Sequence, residues 1–291
     1  LGKLFDDSYL EKLEYLRVLA KKLLVKKRNL AARIKKTGAG SEFADHRPYT
    51  PGDDLRAVDW NVYGRLGRLI VRLFEEDEDL SVYFLLDSSC SMKIGGKFDH
   101  ARRSAAALAY LALSGSDRVS FYSFSSRLES ALPPKTGQAQ IFPVMEFLES
   151  LEPAGDTDVA AAAKEFVSKT RRRGLVVLVS DMFSAKGVED AVKFITFNRF
   201  ELFALHAAAG DDESPVLTGD LALRDSETGE VMLAAVGANT LKAYGEAFAK
   251  KRAEMELVFK RHGAALVPAP VRVPFDQLVL AVLKEGFFIG K

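Results

Sequence analysis

The chain has 291 residues, 48% hydrophobic and 28% charged, and its 41 basic and 40 acidic side chains leave a formal net charge of +1. That length holds one large domain or two modest ones, and the mix is that of a soluble globular protein without whole-molecule attraction to nucleic acid. One cysteine, Cys90, excludes an internal disulfide and a CxxC-type zinc site, which fits a reducing compartment.

Residues 8–36 read as a long helix. Ser8 offers an N-cap with Glu11 three positions on, and Leu10, Leu13, Leu16, Ala20, Leu23, Leu24 and Leu30 recur at roughly helical intervals. Residues 21–36 carry eight basic side chains and no acid. Such a face suits acidic partners or lipid headgroups, but it also reads as a solvated face docked on the acids at 75–79, and the second reading is preferred. No nucleic acid is expected, while peripheral membrane contact through this helix stays open. No apolar run reaches the roughly 18 residues that span a bilayer. A cytoplasmic location is expected, and Leu1 at the start leaves a leader open.

Residues 38–68 lack clear periodicity. Pro48, Pro51 and Gly52 mark turns, and Arg47, Asp53, Asp54, Arg56 and Asp59 alternate in sign around Tyr49 and Trp60. This is expected to be an ordered loop held by ion pairs and aromatic packing, a structural collar rather than a set of general acids and bases. Residues 69–74 follow as a strand.

From residue 80 strands and helices alternate. "LSVYFLLD", "GLVVLVSD" and "RFELFALHAAA" are short apolar runs typical of buried strands, and "DRVSFYSFSS" alternates like a half-buried one. Between and after them "KFDHARRSAAALAYLALSG", "IFPVMEFLESL", "DVAAAAKEFVSKTRRR" and "VEDAVKFITFN" read as helices. A β-hairpin is expected near 215–236, then a helix over 239–262, a strand at "AALVP" and a last helix at "FDQLVLAVLKE". The pattern predicts an α/β fold with an open, mostly parallel, Rossmann-like sheet covered by helices on both faces. The expected division is 1–78, the basic helix and collar, and 79–291, the α/β domain.

Open sheets of this kind bind ligands outside the carboxyl ends of their strands. Asp87 and Asp181 stand at two such ends. Asp87 opens a D-x-S-x-S run with Ser89 and Ser91, and Thr157 stands where a later helix begins. Two acids and three hydroxyls from three loops suit a hard cation such as Mg²⁺, with Mn²⁺ or Ca²⁺ as alternatives. Ser89 and Ser91 would ligate directly, Thr157 directly or through water, and Asp87 and Asp181 would hold coordinated waters. Largely neutral ligands would leave an open position attractive to a carboxylate from another protein. A serine nucleophile needs a base, and none of His46, His100, His206 and His262 sits in a recognised motif. A phosphate-cradling G-x-x-x-x-G-K-[ST] is absent, and "KIGGK" reads as a turn.

The D-x-S-x-S run, the later threonine and the strand-end aspartate resemble the metal-ion-dependent adhesion site of the von Willebrand factor type A fold. Asp87, Ser89, Ser91, Thr157 and Asp181 match it residue by residue, although Met182 stands where many such domains have glycine. "RPYTPGDDLRAVDWNVYGR" followed by this strand, together with "LALRDSETGE", resembles the family called domain of unknown function 58. That resemblance implies a partnership with a MoxR-type AAA+ ATPase that remodels or activates client proteins. The expectation is therefore a non-enzymatic protein-protein interaction module, with a metal-dependent hydrolase and a surface adhesion domain as alternatives. Oligomeric state is not legible.

Overall fold

The computed structural model describes residues 4–31, 42–75, 80–182, 187–213, 215–226 and 229–285. In chain order the elements are α1 (Asp7–Ala31), β1 (Glu42–Pro48), α2 (Trp60–Leu66), β2 (Ile70–Glu75), β3 (Ser81–Asp87), α3 (Lys97–Ser114), β4 (Arg118–Phe124), β5 (Leu128–Thr136), α4 (Ile141–Ser150) and α5 (Val159–Lys169). Then come β6 (Leu175–Ser180), α6 (Val188–Phe197), β7 (Glu201–Ala208), α7 (Gly210–Glu213), β8 (Gly219–Arg224), β9 (Val231–Val236), α8 (Ala238–Arg261), β10 (Ala265–Pro270) and α9 (Phe275–Glu285). They divide into two compact units, one of Leu24–Asp79 and one of Leu1–Leu23 with Leu80–Lys291.

The larger unit is built on a sheet of order β10-β7-β6-β3-β4-β5. All neighbours are parallel except the β4-β5 edge. Counted from β3, this is the doubly wound order 3-2-1-4-5-6. The expected Rossmann-like, type A arrangement is therefore the one observed. Strands β3 and β6 are buried at every residue, which explains their unbroken apolar runs. Alternate side chains serve opposite layers. Val82, Phe84 and Leu86 join a core with α3, α4 and α9. Tyr83 and Leu85 join another with α5, α6 and Phe259 of α8. Ala105, Ala106, Ala107 and Ala109 of α3 are fully buried, and their small side chains let this helix lie close to the sheet.

Several expectations change. Phe5, Tyr9, Leu13 and Leu16 are buried in the core of the larger unit, so Leu1–Leu23 groups with it rather than with residues 24–78. The first helix is capped by Asp6, whose Oδ1 accepts from Tyr9 N at 2.8 Å, and not by Ser8. Its expected extension to 36, and the acids at 76–79, lie outside the described residues. Strand β5 has no counterpart in the sequence reading because Pro133 and Pro134 argue against a strand, yet prolines are tolerated at a sheet edge. Strands β8 and β9 form the expected antiparallel hairpin. Among the described residues no helix is long and apolar enough to cross a membrane.

In the smaller unit β1 and β2 pair antiparallel, with an irregularity between Phe43 and Asp45. Residues 38–68 are thus not a loop throughout, since they contain β1 and α2. Arg47 donates to both carboxylate oxygens of Asp53, at 2.7 and 2.6 Å, and Asp53 Oδ2 also accepts from Thr50 N. Asp54 serves a backbone donor instead of an ion pair, and Asp59 serves backbone donors while its Oδ2 also lies 3.4 Å from His46 Nε2. Asp54 accepts from the backbone N–H of Arg56 at 2.9 Å. Asp59 caps α2 by accepting from Asn61 N and Val62 N. Gly52 turns the chain with φ 108°, and Tyr49 N donates to Leu69 O at 3.0 Å. Trp60 remains 57% exposed and meets Tyr63 edge-on.

Candidate metal centre

Strands β3 and β6 are neighbours at the point where the strand order reverses, so the loops that leave them part and open a crevice. Asp87 ends β3, Asp181 follows β6, and both are buried. Ser180, which the sequence reading passed over, joins the two loops. Its hydroxyl donates to Asp87 Oδ2 at 2.6 Å and accepts from Met182 N at 2.9 Å. The other Asp87 oxygen accepts from Ser89 N at 2.9 Å. Burial, reinforced by the charge of Asp181, pushes the Asp87 carboxyl up to about 6 even though these hydrogen bonds favour the ionised form.

Ser89 and Ser91 are buried and their hydroxyl oxygens are 3.1 Å apart. Two neighbouring ligands of an octahedral Mg²⁺ at about 2.0–2.1 Å stand about 2.9 Å apart, so this pair already has ligand-like spacing. The third loop, residues 151–158, is stitched to the D-x-S-x-S loop. Ala154 N donates to Ser88 O at 2.6 Å and Cys90 N to Gly155 O at 2.9 Å. Thr157 is half-buried, next to Asp158, which caps α5 through Ala161 N and whose own N–H donates to Ser125 O. The structure thus draws the loops of all five expected residues to one end of the sheet.

Lys97 is the principal residue the sequence reading missed. Its side chain is 1% exposed, donates to Asp181 Oδ2 at 2.7 Å and lies 3.3 Å from Asp212 Oδ2. Asp212 Oδ2 also accepts from Ala209 N at 2.8 Å. "KIGGK", expected as a turn, lies instead at the end of a 3₁₀ helix over Cys90–Gly96 that breaks at Ile94 and Gly95, and its glycines explain how the ammonium arrives there. Gly95 and Gly96 are left-handed, and a Cβ on Gly95 would stand 2.4 Å from Ala209 Cβ, so glycine lets the bend press against the end of β7. One signal was available in the sequence, because a lysine in the first turn of a helix opposes the helix dipole.

His206 is buried with Nε2 3.0 Å from the Asp181 carbonyl oxygen. A carbonyl only accepts, so Nε2 carries the hydrogen, and burial pushes the imidazole pKa down. Met182 has φ 51° and is fully buried, so it keeps the left-handed backbone that glycine adopts most readily. Beside Asp181 and Met182 a small open cleft of about 20 Å³ is lined by His206, Phe248, Lys251 and Arg252. Burial pushes the Lys251 pKa down, although the charge of Asp181 favours its ammonium. Among the described residues no group of three or more His, Cys, Asp and Glu is placed to hold a metal ion, so a cation here would depend on hydroxyl oxygens.

Comparisons place the chain among known proteins. An uncharacterized protein of Mycobacterium tuberculosis is 28% identical over 237 residues, 79% of this chain and 74% of that one, and one of Mycobacterium bovis matches with the same figures. BatB from Bacteroides thetaiotaomicron is a structural neighbour at 14% identity and TM-score 0.42, covering 70% of this chain and 99% of its own. An aerotolerance-related membrane protein from Bacteroides fragilis reaches 18% and 0.45, covering 72% and 98%. A von Willebrand factor type A structure from Catenulispora acidiphila reaches 14% and 0.33, covering 62% and 44%. Residues 45–254 match the family model described as protein of unknown function DUF58, and the chain belongs to that family.

Proposed function

We propose that this chain is a non-enzymatic interaction module that holds a divalent cation, Mg²⁺ in the first instance, and offers it to a carboxylate of a partner protein. Ser89 and Ser91 would be direct ligands, Thr157 a direct or water-mediated one, and Asp87 and Asp181 would hold coordinated water and orient the hydroxyls. The observation that carries this reading is the 3.1 Å spacing of two buried serine oxygens beside a buried carboxylate whose pKa is raised. Such a carboxylate gains most from an added positive charge. When bound, the cation supplies a positive coordination position. Lys251 and Arg252, which line the neighbouring cleft, add positive charge for an acidic partner segment.

The hydrolase alternative needs a base aimed at a water on the cation. His206, the imidazole beside Asp181, instead gives its Nε2–H to a backbone carbonyl. The resemblance drawn from the collar and the D-x-S-x-S strand supports a MoxR-type AAA+ ATPase in the cytoplasm as partner, acting on a client protein.

A calorimetric Mg²⁺ titration of wild type and of the Ser89→Ala/Ser91→Ala variant tests the cation site. Wild type is expected to bind and the variant not to, at similar thermal stability. Equal binding by both would sink the site. A complex with the ATPase that ignores chelator would sink its role in docking.

A further inference from the structure

We propose that Lys97 is a built-in counter-cation of this centre. Its ammonium neutralises Asp181 while no divalent ion is bound, and by holding Asp181 Oδ2 it keeps this carboxylate out of the inner coordination sphere, so that the cation binds weakly and exchanges. The inference rests on the cation reading above and adds a regulating residue to it.

Three observations carry it. First, Lys97 and Asp181 are each 1% exposed and 2.7 Å apart, a fully desolvated ion pair rather than a surface contact. Second, the lysine occupies the first position of α3, where the dipole disfavours a cation and where no side chain caps the helix. Something must offset that disadvantage, and the carboxylates of Asp181 and Asp212 do so. Third, the ammonium arrives through a bend built for close approach, with Gly95 and Gly96 both left-handed and Gly95 pressed against Ala209. A long aliphatic side chain that only filled space would need none of these arrangements.

An ammonium on one oxygen of Asp181 and a divalent cation drawing on the same carboxylate repel each other. At a separation of a few ångströms that repulsion is worth about tenfold or more in the binding constant, even at the high effective dielectric of a protein surface. The side chain therefore acts on the cation through Asp181, as a positioning residue, and is not itself a ligand.

The test uses the full chain as wild type, Lys97→Met and Lys97→Met/Asp181→Asn, with Mg²⁺ titration and thermal unfolding in EDTA and in Mg²⁺. Lys97→Met is expected to bind Mg²⁺ about tenfold tighter than wild type. Its unfolding temperature should be lowered in EDTA and recovered by Mg²⁺ more than in wild type. The double variant removes both charges, so it should fold in EDTA within a few degrees of wild type and gain no extra Mg²⁺ stabilisation. Lys97→Met binding Mg²⁺ no tighter than a binding wild type would overturn the inference and leave the cation site standing. Tight binding by Lys97→Met alone would uphold the inference and overturn the proposed function at cellular Mg²⁺. Binding by neither overturns both. If Lys97→Met stays unfolded even in Mg²⁺ while the double variant folds, exchange between ammonium and cation is refuted. A double variant as unstable as Lys97→Met would show that Lys97 does something other than neutralise Asp181.

Discussion

Replacing Asp87 by asparagine should remove a pH dependence of folding and, with it, the response to Mg²⁺. In the metal-free fold burial pushes the Asp87 carboxyl up to about 6, against an ordinary value of 3.8. The folded chain therefore binds a proton over a window in which the unfolded chain has lost it. For such a group stability falls as pH rises from about 4 to about 6, and is level above that. A gap of about two pH units, each worth about 1.4 kcal/mol, makes the ionised form costly by roughly 3 kcal/mol at pH 7. Urea unfolding in EDTA across pH 4–8 measures it. The difference between wild type and Asp87→Asn isolates this group from the other carboxylates titrating in the window. Asparagine keeps an oxygen for one of the two donors, Ser180 Oγ and Ser89 N, and the variant should be the more stable of the two at pH 7. Saturating Mg²⁺ should reverse the wild-type slope, since the cation favours the ionised carboxyl, and leave Asp87→Asn unmoved. Parallel profiles for the two proteins in EDTA would refute the reasoning, because the carboxyl would then be no more costly to ionise folded than unfolded.

Asp181→Ala should be far more damaging than the serine substitutions, since it strands an ammonium that is 1% exposed. Breaking a buried pair in this way costs about 3–5 kcal/mol, and Asp212 at 3.3 Å should hold the loss near the lower figure. That corresponds to a fall of about 6–12 °C in the calorimetric Tm, and a loss under about 2 °C would contradict the buried pair. Gly95→Ala should destabilise by about 1–3 kcal/mol in urea unfolding, from its left-handed backbone and the 2.4 Å approach to Ala209 Cβ, while Ala209→Gly in the same chain should restore only the part due to the clash.

The sheet was legible because its strands are buried on both faces and therefore write continuous apolar runs, as in β3, β6 and β7. The edge strand β5 was not, since an edge tolerates Pro133 and Pro134 and exposes most of its side chains. Within the centre, Asp87, Ser89, Ser91 and Asp181 could be named because each stands at a fixed offset from a strand end. Lys97 and Asp212 stand at no such offset. They meet only after the Gly95-Gly96 bend folds onto the end of β7, a tertiary event with no local periodicity. The collar shows the same limit. Alternating charges resemble a set of ion pairs, but Asp54 and one oxygen of Asp59 are used by neighbouring backbone N–H groups, and the other oxygen of Asp59 faces His46, so sequence spacing alone distinguishes these roles poorly from pairing with Arg56.

The charges at the strand ends bear on how a partner would be held. The Lys97 ammonium faces Asp181 and Asp212, and Asp87 feels the charge of Asp181, so full ionisation of these four groups would leave them two negative charges in a largely buried cluster. Without a divalent ion the raised pKa of Asp87 offers partial relief through protonation. With one, the cluster reaches neutrality, and neutrality is the condition under which a partner's carboxylate can approach without strong repulsion from the acids behind the cation. On the proposed reading Lys251, and Arg252 beside its partner Glu256, would then meet the charge that the docking protein brings. On the proposed reading docking thus depends on the cation twice, once as ligand and once as the charge that silences the acids. Salt should therefore weaken the complex through the cleft, and chelation should abolish it through the cluster.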